Sequence, residues 1–132
     1  MFRAFLVFTC LTLPAAAQDI DCANAVTQQD MNQCAYEDWE AADAELNAAY
    51  KRAMTLLAGW DADLPETEKG AATALKEAQR AWITFRDKAC EVEGYAMRDG
   101  SAEPLVVYGC MRQLTEDRAG QLNALVDAYG NF

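Results

Sequence analysis

Between Gln28 and Ala58 the chain contains neither proline nor glycine. Across that stretch Met31, Cys34, Ala35, Trp39, Ala42, Leu46, Ala49, Tyr50, Ala53 and Leu57 recur at steps of three and four residues. That spacing puts them on one side of a helix, and a stripe of this width must be covered by something else. Thr27 with Asp30 three residues on resembles a capping box, so Thr27 is the predicted N-cap of a helix over 28–58.

Gly59-Trp60-Asp61-Ala62-Asp63-Leu64-Pro65 reads as a turn, with Asp63 as cap of a second helix over 66–93 and Pro65 in its first turn. Leu75, Ala78, Gln79, Trp82, Phe85, Arg86 and Ala89 mark its inner face, and Gly94 with Arg98-Asp99-Gly100-Ser101 ends it. Ser101 is the expected cap of a third helix, with Pro104 early in it and Leu105, Tyr108, Met111, Leu114, Arg118, Leu122, Leu125 and Tyr129 as its stripe. Val106-Val107-Tyr108 is the single β-favouring cluster and lies inside a helical pattern. Short connections make neighbouring helices antiparallel, so the expected fold is all-α, an up-down-up three-helix bundle. Leu46, Tyr50, Trp82 and Phe85 are expected in its core.

The first residues read as an address. Arg3, an apolar run from Ala4 to Leu13, Pro14 and then Ala15-Ala16-Ala17 have the form of a leader cleaved after Ala17, and the run is shorter than the ~20 residues a membrane span needs. The expected organisation is a cleaved leader, residues 1–17, and one helical domain, residues 18–132, with no membrane span once the leader is gone. The expected location is the periplasm or the exterior of a bacterial cell. Cys22, Cys34, Cys90 and Cys110 then remain, an even number suited to an oxidising compartment and two disulfides. The up-down-up arrangement brings all four to one end. Cys22–Cys34 with Cys90–Cys110 is the preferred pairing, and Cys22–Cys110 with Cys34–Cys90 satisfies the same geometry. Spacings of 12, 56 and 20 residues contain no close Cys-x-x-Cys knuckle, which argues against zinc.

The charge excludes more. The whole chain has 11 Lys+Arg against 21 Asp+Glu, a net charge of −10, and no histidine. An acidic surface argues against nucleic acid as partner, and the missing imidazole removes the usual general base and metal ligand. Glu40 and Asp43, three apart on one helix with Cβ atoms about 5–6 Å apart, could form a carboxylate pair, but a three-helix bundle offers little of the cleft a glycosidase needs. Asp61-x-Asp63 begins like a calcium loop, yet Pro65 and Glu66 occupy the following ligand and glycine positions. The chain is therefore expected to be no enzyme, with neither metal nor cofactor.

Asp21-Cys22, Met31-Asn32-Gln33-Cys34-Ala35, Ala42-Asp43-Ala44-Glu45-Leu46-Asn47 and Tyr50 resemble the first half of the LprI-like lysozyme-inhibitor family. Leu75-Lys76-Glu77-Ala78-Gln79-Arg80-Ala81-Trp82-Ile83, Phe85-Arg86-Asp87, Cys90, Cys110, Leu114-Thr115 and Arg118 resemble its second half, so the likeness covers most of residues 20–125. The resemblance implies a small exported helical domain whose named activity is inhibition of lysozyme, and it carries over no inhibitory residue.

Levelling the helices at their cysteines sets Asp43 beside Arg118, with Gln79 and Asn47 about a turn away, so these four are expected to form an internal polar cluster. The expected partner is a basic protein, c-type lysozyme among them, steered by the acidic band Glu37, Asp38, Glu40, Asp43 and Glu45. An inhibitor also needs a probe for the sugar cleft. Trp60, flanked by Asp61 and Asp63, is the candidate, against the reading that it caps the open end of the bundle; the connection from Tyr95 to Ser101 is the other candidate. The alternative function is an envelope interaction module that binds another envelope protein or a cationic peptide without inhibiting anything.

Overall fold

In the computed structural model, which describes residues 20–130, a 3-10 turn at Cys22–Asn24 leads into α1 (Gln28–Ala62). There follow α2 (Ala71–Gly94), a second 3-10 turn at Tyr95–Met97 and α3 (Glu103–Tyr129). The described residues contain no strand, and none of their helices is long and apolar enough to cross a membrane. The expected leader, residues 1–17, lies outside the described residues.

Cross-helix bonds give the register. Asn32 bonds to Ser101 and Arg52 to Asn123, so α1 and α3 run parallel; Gln79 bonds to Arg118 and Cys90 to Cys110, so α2 runs antiparallel to α3. The up-down-up bundle is therefore the observed one. α1 and α3 pack together most extensively, and α2 lies chiefly on α3. Both disulfides take the preferred pairing, Cys22–Cys34 and Cys90–Cys110.

Helix starts follow local chemistry only in part. Thr27 Oγ1 accepts the N–H of Asp30 (3.0 Å), as a capping residue should. α1 runs on to Ala62, past the expected turn, so Gly59 and Trp60 are helical. A lone glycine weakens a helix by only about 1 kcal/mol, which Leu57 in the core and Trp60 against Tyr129 offset. α2 starts at Ala71 rather than 66, because Pro65–Glu68 closes a turn of its own and the cap is Asp61, not Asp63. Ser101 does not cap α3: its carbonyl accepts from Asn32 Nδ2, and no side chain caps Ala102, while Pro104 does stand in the first turn.

The interior has two tiers. Toward the Trp60 end, Leu46, Ala49, Ala53, Leu57, Leu75, Ala119 and Leu122 form the apolar core, with Tyr50 and Trp82 against it. Ala49 and Ala53 are fully buried, the small side chains that let α1 and α3 approach closely. Toward the cysteines the interior is instead aromatic and cationic. Phe85, expected in the core, is 60% exposed, because it lies about a quarter-turn round α2 from Arg86, which takes the inward position.

Gly94 marks the tightest approach of α2 to α3. A Cβ there would meet Val107 Cγ2 at 2.6 Å, and a β-branched side chain has little freedom to retreat. Gly94→Ala is expected to lower stability by about 1 kcal/mol despite its better helix propensity, measured by urea unfolding; a stabilised variant would show that the helices part without penalty.

Candidate partner-binding site

The residues proposed as a partner-contacting set divide between the two ends of α1. Trp60 stands 21 residues from Trp39, about 31 Å along a helix, and Glu37 and Glu40 flank Trp39. Trp60 is 42% exposed with its ring edge-on to Tyr129 (centroids 5.8 Å), partly closing the core end of the bundle. Asp61 is structurally engaged: Oδ1 accepts the N–H groups of Gly70 and Ala71, and Oδ2 that of Ala72, each at 3.0 Å. Asp63 is exposed at the end of α1. These five residues form no common surface.

Those three backbone N–H groups at the positive end of α2 hold the Asp61 carboxyl below its ordinary value of 3.8. The stabilisation is therefore complete above that value and lost as pH falls through the lower folded one. Asp61→Asn is expected to melt below the wild type at pH 6, with the gap narrowing through pH 4 and closing in stronger acid. Melting curves followed by circular dichroism would check this, and a gap independent of pH would refute it.

The polar cluster is assembled differently from the expectation. Asp43 pairs with Arg86 (Oδ1 to Nη1, 3.3 Å), not with Arg118, and also accepts from Asn47 Nδ2 (2.9 Å). Arg118 donates from Nε to Gln79 Oε1 (3.1 Å) and from Nη1 to Gln121 Oε1 (3.0 Å). Levelling the helices fixed the heights, but Asp43 is turned toward α2 rather than α3. Arg86, only 6% exposed, is the hub: besides Asp43 it pairs with Asp87 (2.8 Å) and lies 5.5 Å from the ring centre of Trp39 and 5.3 Å from that of Trp82. A buried cation is tolerable only with such partners.

Above this hub is a feature the sequence reading missed. Trp39 stacks on Tyr108 (centroids 5.7 Å, planes 20° apart), and Tyr36 meets both edge-on at 5.7 and 5.3 Å. The Tyr36 hydroxyl donates to Glu40 (2.5 Å), and this bond pushes the phenol above its ordinary pKa. Trp39 and Tyr108 border an open groove of ≈ 730 Å³ whose rim carries Asp99 and Glu103. Asp99 adopts a left-handed backbone (φ 63°), held by its N–H bond to Glu103 Oε2 (3.1 Å). The signal was present as Tyr36 and Trp39 one turn apart, but their meeting with Tyr108 depends on the parallel register of α1 and α3.

Among the described residues at this end, the carboxylates singled out in the sequence are engaged in contacts within the bundle. Glu40 is bound to Tyr36 and Asp43 to Arg86 and Asn47, while all four described cysteines are in disulfides. Among the described residues no group of three or more Cys, Asp or Glu is placed to hold a metal ion.

Comparison with known proteins agrees with this architecture. A family model described as lysozyme inhibitor LprI matches residues 21–122. An uncharacterised protein of Rhizobium meliloti (strain 1021) is 43% identical over 133 residues, covering 97% of this chain and 96% of the relative. The uncharacterised protein YecT of Escherichia coli (strain K12) is 33% identical over 84 residues, 59% of this chain and 51% of YecT. The crystal structure of a DUF1311 family protein from Pseudomonas putida KT2440 superposes with a TM-score of 0.65 at 27% identity, over 75% of this chain and 93% of that one. With the match taking in both disulfides, α1, α2 and most of α3, the chain belongs to the LprI lysozyme-inhibitor family.

Proposed function

We propose that this domain is an exported, acidic binding protein, not an enzyme, that inhibits lysozyme by protein–protein contact. The observation that carries the reading is the cysteine-bearing end of the bundle, where an open groove bordered by Trp39 and Tyr108 has the carboxylates Asp99 and Glu103 on its rim, with Glu37 and Glu40 nearby on α1. Leader cleavage after Ala17 would leave the mature chain at −11, with 10 Lys+Arg against 21 Asp+Glu. Such a charge draws a basic protein such as an animal-type lysozyme by long-range steering. The aromatic groove supplies the apolar, shape-fitting contact that steering lacks. Two disulfides suit the oxidising compartment to which a leader over residues 1–17 would deliver residues 18–132.

The contact is assigned to the cysteine end rather than to Trp60, which leans on Tyr129 in a position suited to closing the core. The test is lysis of bacterial cell walls by a c-type lysozyme at physiological salt, with the oxidised protein added in increasing amounts. Expected are stoichiometric inhibition, competition with a chitin oligosaccharide and undiminished potency for Trp60→Ala. A folded, fully oxidised protein that leaves c-type lysozyme uninhibited would refute the reading in favour of the envelope interaction module. Inhibition abolished by Trp60→Ala would move the contact to the opposite end.

A further inference from the structure

We propose that the open groove bordered by Trp39, Pro104 and Tyr108 is a receptor for an arginine side chain presented by the basic partner. This rests on the binding reading above and gives that reading a specific anchor. The groove is walled by Trp39, Pro104 and Tyr108, and its rim carries two carboxylates, Asp99 and Glu103, with no lysine or arginine among its lining residues. Among the described residues the Asp99 carboxylate accepts no hydrogen bond from the protein, and Glu103 uses only Oε2, toward the Asp99 N–H. The site therefore offers a wall of aromatic and proline side chains beside a cation and uncommitted carboxylate oxygens for its N–H groups.

A guanidinium meets those demands better than an ammonium. It is planar, stacks on aromatic rings, is weakly hydrated, and its forked N–H groups match carboxylates two at a time. The protein uses this chemistry twice within its own structure, with Arg86 near Trp39 and Trp82, and with Arg98 lying 4.3 Å from the ring centre of Tyr95. The rim carboxylates would repel an anion, and a purely apolar guest would strip water from them without return. At ≈ 730 Å³ the open groove is roomier than one guanidinium requires.

The probe is the uncharged-ended peptide acetyl-Gly-Arg-Gly-amide, titrated into the oxidised protein by NMR, beside the same peptide with lysine or with citrulline in place of arginine. Saturable shifts at Trp39 and Tyr108 are expected for the arginine peptide, with affinity lower by about fivefold for lysine and by about tenfold for citrulline. Asp99→Asn, whose new side chain tolerates the same left-handed backbone, and Tyr108→Leu are each expected to weaken the arginine peptide about fivefold. An unchanged melting temperature for Asp99→Asn separates this effect from misfolding. Equal shifts for arginine and citrulline, or shifts confined to other surfaces, would overturn the proposal.

The lysozyme assay separates the two claims. Wild type and both variants inhibiting equally would remove the arginine receptor and leave the inhibitor standing. Arginine binding in the groove without inhibition of lysozyme would keep the receptor and remove lysozyme as its target. Inhibition weakened by both variants in parallel with peptide affinity would support both.

Discussion

Replacing Cys90 and Cys110 together by alanine is expected to lower the free energy of unfolding by about 3 kcal/mol. In a domain of this size that is a fall of about 10–15 °C in melting temperature. The two residues are 20 apart in sequence and tie the end of α2 to the first half of α3. Cutting that tie releases the connection through Tyr95–Met97 in the unfolded chain and removes a sulfur that is fully buried at Cys90. The second disulfide supplies the comparison. Cys22–Cys34 closes 12 residues, which loop entropy alone rates nearly as highly. Yet its far end holds a 3-10 turn with no buried residue, so that segment can fray while the bundle stays folded. The Cys22, Cys34 double alanine variant is expected to lose less than half as much in the same urea titration. Equal losses would show that the N-terminal segment unfolds only with the whole.

The second large effect is at Arg86. Arg86→Ala is expected to cost about 3 kcal/mol. Its partners indicate where that loss arises. Asp43 and Asp87 are 39% and 50% exposed, so both can return to water once the cation is gone, whereas the fully buried Thr115 hydroxyl, 3.5 Å from Arg86 Nη1, cannot. The two indoles cannot compensate: alanine leaves a gap between Trp39 and Trp82 that their rings are too rigid to fill. Arg86→Met, which restores the volume without the charge, is accordingly expected to recover most of the loss, and Asp43→Asn to cost less than about 1 kcal/mol. A ranking in which Asp43→Asn matches Arg86→Ala would show that the ion pair, not the packing, holds this tier together.

Much of this fold was legible in the sequence because its signals are local. The stripe from Met31 to Leu57, the Thr27 cap and the early Pro104 each need only a few neighbouring residues to be read. The family resemblance was likewise carried by local strings. What was not legible depends on residues distant along the chain. Asp61 caps a helix that begins ten residues later, and nothing in its immediate neighbours distinguishes it from Asp63. Arg86 was placed on the inner stripe of α2, but its choice of Asp43 over solvent follows from the azimuth of α1, which levelling by cysteines leaves free. Phe85 illustrates the same gap: one residue along the helix separates a buried cation from an exposed aromatic ring. The groove escaped for a related reason, since Tyr36, Trp39 and Tyr108 come together only across two parallel helices.

The three tryptophans are distributed unevenly, and this makes the protein its own optical reporter. Trp39 and Trp82 flank one guanidinium near the cysteines, whereas Trp60 rests on Tyr129 at the other end. With Trp60 and Trp82 replaced by phenylalanine, emission would come from Trp39 in the aromatic–cationic tier alone. With Trp39 and Trp82 replaced instead, it would come from the apolar tier. A reductant that loosens one end before the other would then appear as two fluorescence transitions at different times, while helical ellipticity falls across both. Each half of the bundle can thus be watched separately in a chain that carries no added label.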